Sequence, residues 1–320
     1  MLLKSVEDKL GESGLQQMLE MEDVERSTAL MISVESGSGD SAKVLIEAGA
    51  RVNIVNDNNL SPLHLAATHG VTDIAKILLD HEAEVDTVNS ADQTPLHAAC
   101  GHGNVDMVDL LLEHEAEIEH RDKDGMTPLL TAVKFGHVTV LKKLLHHGAL
   151  VTVIDKDDRS PLYLAAEHNH MKCLRTLVKT SSIDWLMRRN DRWDNTAIHV
   201  ASSGGNLDIV MALIEAGAQI DNKNEDEQTP VHLAAKHGRL KVLKYILGHD
   251  RYSVNDEDFE SQTALHLASS GGHDDIVQEL IRAGADIHAR NSYLWSPLAC
   301  AAAQGWVKCA KHLLKVKLGK

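Results

Sequence analysis

The sequence predicts an all-α repeat solenoid of about nine helix-turn-helix units over 320 residues. Three observations lead there. A Ser/Thr-Pro-Leu-His string recurs at a nearly constant step. A Gly follows nine residues after the Ser or Thr in all but one unit. Aromatic residues are only 3% of the chain. One large core normally leans on bulky rings, so many small helix contacts are expected instead.

The start of each unit comes first. Ser61-Pro62-Leu63-His64 recurs as Thr94-Pro95-Leu96-His97, Thr127-Pro128-Leu129-Leu130 and Ser160-Pro161-Leu162-Tyr163. It continues as Thr196-Ala197-Ile198-His199, Thr229-Pro230-Val231-His232, Thr263-Ala264-Leu265-His266 and Ser296-Pro297-Leu298-Ala299. The steps are 33, 33, 33, 36, 33, 34 and 33 residues, and one step back lies the degenerate Thr28-Ala29-Leu30. A Ser or Thr hydroxyl caps an orphan helix N–H, and Pro suits the first helical position. Paired Ala residues then let helices approach closely.

The end of the first helix is marked by Gly37, Gly70, Gly103, Gly136, Gly205, Gly238, Gly272 and Gly305, with Asn169 in the fourth unit. These residues tolerate the left-handed conformation that closes a helix. A second helix follows with apolar spacing, as in Ile74, Ile77, Leu78 and Leu79. It often closes on Gly-Ala, at Gly49, Gly148, Gly217 and Gly284. A polar stretch such as Asp221-Asn222-Lys223-Asn224-Glu225-Asp226 reads as the tip of a β-hairpin or loop that connects to the next unit. Residues 1–24 read as a charged helical segment or cap with Leu15, Met18 and Leu19, and residues 25–320 as the array. The last unit stops before its Gly-Ala, which suggests an array that continued.

Helix, turn, helix and tip at a period of 33 with Thr-Pro-Leu-His resemble the ankyrin repeat. The resemblance covers residues 25 to 320. It implies a curved stack in which the motif His (His64, His97, His199, His232 and His266) bridges neighbouring loops. Leu130, Tyr163 and Ala299 depart from that motif, so no bridge is expected there. Two residues before the Ser/Thr the family prefers Gly, and only Gly125 complies. Asn59, Asp92, Asp158 and Asp194 tolerate positive φ, whereas Glu227, Ser261 and Leu294 tolerate it less well. The tips carrying those last three are expected to be distorted.

Composition excludes several functions. The formal net charge is −15, unsuited to general nucleic-acid binding, which needs Lys and Arg in excess. An anionic membrane surface is disfavoured likewise, and no window approaches the ~20 apolar residues that span a bilayer. Cys100, Cys173, Cys300 and Cys309 form no Cys-x-x-Cys pair; they read as buried small side chains in a reducing, cytoplasmic setting. The closest metal-like groupings are His146-His147, His168-Asn169-His170 and the acidic run from Glu113 to His120. No His-Glu-x-x-His or phosphate-loop Gly-Lys-Ser/Thr occurs, so no metal, cofactor or catalysis is expected. The lysines of the tail, Lys308, Lys311, Lys315, Lys317 and Lys320, read as a solvated helix face.

Arrays of this family bind proteins through the tips and the concave face of the first helices. Carried over unit by unit, the candidate contacts are Leu60, Met126 and Trp295 just before the Ser/Thr. Trp193, Phe259 and Tyr293 lie on the tips, and Phe135 and His168 at the exposed end of first helices. In an aromatic-poor chain, rings there point to a protein partner; the alternative is that a distorted tip folds its ring onto itself.

A lengthened fourth step contains Ser181-Ser182-Ile183-Asp184-Trp185-Leu186-Met187. With Val254-Asn255-Asp256-Glu257-Asp258 and Trp295-Ser296-Pro297-Leu298-Ala299-Cys300, it resembles the array of transient receptor potential ankyrin channels, invertebrate ones especially. That resemblance implies a cytosolic arm of a tetrameric, calcium-permeable cation channel whose membrane helices lie outside this sequence. A free-standing adaptor recruiting a phosphatase, a ubiquitin ligase or a cytoskeletal partner is the alternative.

Overall fold

The computed structural model describes residues 13–249 and 253–318, without side chains for 316–318. Among these residues are the helical stretch 13–19 and nineteen further helices, and the extended pairing is limited to two isolated bridges, Glu22 with Thr28 and Asn190 with Thr196. The chain is therefore all-α. It divides into two compact bodies, residues 1–156 and 157–320.

The first body holds four helix pairs: Ala29–Glu35 with Gly39–Glu47, Pro62–His69 with Thr72–Asp80, Pro95–His102 with Val105–Glu113, and Pro128–Lys134 with Val138–His146. The second holds five. They are Pro161–Glu167 with Met171–Leu177, Ala197–Gly204 with Leu207–Glu215, Pro230–Lys236 with Leu240–Leu247, Ala264–Gly271 with Asp274–Arg282, and Pro297–Ala303 with Val307–Leu318. The inserted residues add a short helix, Ile183–Arg188, whose Leu186 is fully buried and which packs on Pro161–Glu167.

Local chemistry explains each start and stop. The Ser61, Thr127, Ser160 and Ser296 hydroxyls accept from the N–H three residues on. Five repeats add a reciprocal bond, in which the motif His accepts the cap's own N–H, as Thr94 N–H donates to His97 Nδ1 at 3.3 Å. First helices end at φ +70° to +82° where Gly70, Gly103, Gly136, Gly205, Gly238, Gly272 and Gly305 stand, and Asn169 takes φ +58° in the same slot. A β-carbon on Gly103 would fall 2.5 Å from the His137 ring, so space as well as φ demands glycine there. Second helices end at Gly49, Gly148, Gly217 and Gly284 in the left-handed region, and Glu82 and Glu115 occupy that slot at φ +63°.

The core runs along each body as one file of small and branched side chains. Ala66, Ala67, Ala75 and Leu78 are fully buried, as are Ala234, Ala235, Val242 and Leu243 further on. Paired alanines bring first helices of adjacent repeats together, and no single repeat buries its own apolar face, so stability comes from neighbours. At the N-terminus, residues 13–19 are helical and bury Leu15 and Leu19, and Glu20 pairs with Arg51 of the first repeat. Residues 20–24 differ from the helical expectation. They form the first tip, because Asp23 Oδ1 accepts the N–H groups of Glu25 and Ser27. The part of the predicted segment from 1 to 12 lies outside the described residues.

The tips correct the sequence reading most sharply. Glu227, Ser261 and Leu294 have φ of +56°, +54° and +60°, the same as Asn59, Asp92, Asp158 and Asp194. Each of these three tips closes like the rest, as Asn291 N–H to Trp295 O at 3.1 Å and Leu294 N–H to Asn291 O at 2.7 Å show. No distortion follows from the missing glycine. The cause is a buried or half-buried Asn or Asp five residues before the Ser/Thr. Its Oδ1 accepts N–H groups two and four residues on, at Asn56, Asn89, Asp122, Asp191, Asp258 and Asn291. Such side chains mimic a backbone turn and over-determine it.

Candidate functional site

The surface that could hold a partner is built on those tips. Within each body, neighbouring tips are joined by one backbone bond. Ser90 N–H donates to Asn58 O at 3.0 Å and Lys123 N–H to Ala91 O at 3.0 Å in the first body. In the second, Glu225 N–H donates to Trp193 O at 3.0 Å, Phe259 N–H to Asp226 O at 2.9 Å and Ser292 N–H to Glu260 O at 2.9 Å. The tips thus form a backbone-tied row, a rigid base for side chains that project from it.

Motif histidines hold that row from beneath. Their Nδ1 accepts from the cap, so Nε2 carries the proton. Nε2 donates to the next tip: His64 to Gln93 O at 2.9 Å, His97 to Met126 O at 3.0 Å, His199 to Gln228 O at 3.1 Å, His232 to Asp256 O at 3.0 Å and His266 to Trp295 O at 3.0 Å. Burial lowers all five imidazoles below their usual range, His199 to about 4. At Tyr163 the expected absence of a bridge is corrected. The phenol donates to Asp191 Oδ2 at 2.8 Å, reaching the buried turn residue of the following tip instead of a carbonyl. At Leu130 and Ala299 only the cap bond remains.

A second set of bridges was not visible in the motif. One residue past Gly103, Gly136, Gly238, Gly272 and Gly305, a side chain reaches back to the carboxyl end of the preceding first helix. Asn104 Nδ2 donates to Ala67 O at 2.7 Å, Arg239 Nε to Ser203 O at 2.8 Å and Trp306 Nε1 to Ser270 O at 2.8 Å. His137 and His273 do the same to Gly101 O and Lys236 O, at 2.9 and 3.1 Å. The residue types differ too much for one letter to show the pattern; what they share is an N–H donor. Much of the chain's histidine is thereby scaffold. Among the described residues no group of three or more His, Cys, Asp or Glu could hold a metal ion. The four thiols are buried, and burial pushes Cys173 up to about 11.

The candidate residues divide as follows. Phe135 lies in the first body at the end of Pro128–Lys134, 54% exposed, with Lys134 over its ring. Trp193, Phe259, Tyr293 and Trp295 lie in the second body and are 51%, 74%, 66% and 47% exposed, so none folds its ring out of sight onto its own tip. His168 is exposed beside Glu167, and Leu60 is half-buried. Met126 is a correction. At 3% exposure it is withdrawn from the surface, because Asp122 holds its N–H, His97 holds its carbonyl, and the apolar side chain follows inward.

Between the tips of the second and third pairs of the second body lies a hollow of about 300 Å³. Trp193, Asn195, Asn224, Glu225 and Asp226 line its tip side, and Val200, Leu233 and Lys236 its helix side. Asn224 Nδ2 donates to Asn195 Oδ1 at 2.9 Å and so fixes the amides on its tip side. The chain's own Arg192 lies over the Trp193 ring, 5.4 Å from the centroid, while pairing with Asp157.

Helix pairs joined by tied tips define an all-α repeat scaffold. The family profile described as "Ankyrin repeats (3 copies)" matches in overlapping stretches from residue 6 to 319. The chain belongs to the ankyrin-repeat family, and it is a scaffold of the kind that mediates protein–protein binding. Among curated proteins, it is 36% identical over 124 residues to the transient receptor potential cation channel subfamily A member 1 homolog of Caenorhabditis elegans, covering 39% of this chain and 10% of that protein. It is 36% identical over 134 residues to subfamily A member 1 of Drosophila melanogaster, covering 40% of this chain and 11% of that one. Human ankyrin repeat and SOCS box protein 3 is 32% identical over 105 residues, 32% of this chain and 20% of that protein. The matches therefore span a tenth to a fifth of these relatives. Among the described residues no helix is long and apolar enough to cross a membrane.

Proposed function

We propose that the chain is a non-catalytic interaction scaffold acting as the cytosolic ankyrin arm of a transient receptor potential ankyrin-type, calcium-permeable cation channel. The observation that carries this reading is the pair of channel relatives, each 36% identical over more than 120 residues of this array. The lengthened connection that forms Ile183–Arg188 supports it. In this role the array takes up no cofactor and runs no reaction. It presents the exposed aromatics of the second body, Trp193, Phe259, Tyr293 and Trp295, with Phe135, His168 and Leu60 as further contacts, to a protein partner.

A second reading is a free-standing adaptor that recruits a phosphatase, ubiquitin ligase or cytoskeletal protein; the match to the SOCS box protein favours it. Fractionation of the endogenous protein separates the two, with an antibody raised against this chain. A membrane-bound band far above 35.0 kDa is the expected result. A band in the soluble fraction near 35.0 kDa would overturn the channel reading and leave the adaptor.

A further inference from the structure

The hollow beside Trp193 joins three features. Its floor has apolar patches, Val200 half-buried and Leu233 at 9% exposure. Its lip is the exposed Trp193 indole. Its tip side carries two exposed carboxylates, Glu225 and Asp226, against one cation, Lys236. An apolar floor takes an aliphatic stem, an indole face attracts a planar cation, and carboxylates pair with it. Arginine is the side chain with all three properties. Arg192 already shows the indole holding a guanidinium while it pairs with Asp157. A volume of about 300 Å³ exceeds one side chain and leaves room for the adjoining main chain.

The surroundings favour a protein segment as the carrier. Along the tied tips beyond the hollow stand Phe259, Tyr293 and Trp295, with Glu257 and Glu260 exposed among them. Lys223 and Arg290 are the nearby tip cations; Glu227 and the Glu257 carbonyl engage the first, and the Leu294 carbonyl engages the second. The row is acidic and apolar by turns, and the whole chain carries −15. We propose that the hollow bounded by Trp193, Glu225 and Asp226 is the receptor for an arginine on an extended, basic segment of a partner protein, whose apolar residues continue along Phe259 and Tyr293. This rests on the docking reading above and names the chemistry of the partner.

The test uses the full chain and a fluorescein-labelled peptide of alternating arginine and glycine, read by fluorescence anisotropy at physiological ionic strength, where the Debye length is ~8 Å. Trp193→Ala and the double variant Glu225→Gln/Asp226→Asn are each expected to weaken binding about tenfold, and Trp193→Phe to retain most of it. Glu82→Gln/Glu84→Gln removes the same charge from exposed sites of the first body and is expected to leave binding within about twofold. Melting curves of every variant establish folding. Equal weakening by the remote pair, no weakening by either hollow variant, or equal binding of a glutamate-glycine peptide overturns the proposal. If the arginine probe ignores the hollow while substitution of Phe259 and Trp295 abolishes capture of the native partner, the docking reading stands and the arginine receptor alone falls.

Discussion

At the residue scale, the buried imidazoles carry the clearest consequence. Each motif His has its pKa lowered by burial, so the unfolded chain binds protons at a higher pH than the folded one. Stability is therefore complete above about pH 6.5, the unfolded value. It falls as pH drops through the window toward about 4, where His199 titrates in the folded protein. Each group contributes at most about 1.4 kcal/mol per pH unit inside its own window. Thermal melts between pH 7 and 5 are expected to show a continuous drop, and His199→Gln a shallower one; a flat profile would contradict the neutral bridges. A second consequence sits at Leu294, 69% exposed with φ +60°. Leu294→Gly relieves a left-handed conformation that costs an L residue ~1–2 kcal/mol, partly offset by glycine's added freedom when unfolded. A net gain of ~0.5 kcal/mol is expected in urea unfolding at unchanged slope. Loss of stability would show that the Asn291 turn does not impose the strain.

At the element scale, a repeat is joined to the next by a tip bond and, where the residue is present, by a motif His and a reach-back donor. Removing one bridge strands buried groups on both sides. His97→Ala leaves the Met126 carbonyl and the Thr94 N–H without the ring and opens a cavity, for about 2–4 kcal/mol. Gly103→Ala meets the His137 ring and forces φ +75°, for at least about 1 kcal/mol. Denaturant unfolding checks both, and a change below a few tenths would contradict them. Helix boundaries were legible in the sequence because Ser/Thr, Pro and Gly each solve a local problem that nothing distant changes. The tips were not, since glycine was taken as the source of positive φ. Asp258 and Asn291 supply it by hydrogen bonding five residues before the Ser/Thr. Reach-back donors were hidden because Asn104, His137, Arg239 and Trp306 share a function and no residue type. Met126 was misplaced for a related reason: its position in the repeat marks a place on the tip and leaves the side chain's direction open.

At the scale of the whole molecule, polar chemistry is largely spent on construction, and apolar exposure is left where a partner can use it. The family was legible from period and motif alone, because recurrence at 33 residues has few physical solutions. The surface proposed to hold a partner was legible in part. Composition made each ring conspicuous, while exposure separated Trp193, Phe259, Tyr293 and Trp295 from buried Met126. Those rings add little to folding, so their removal should separate binding from stability. The most direct measurement combines alanine at Trp193, Phe259 and Trp295 in the full chain, with crosslinked partner capture and melting temperature read on the same preparation. The account predicts that capture is abolished and that the melting temperature stays within about 2 °C. Capture that survives intact in the folded variant would contradict it.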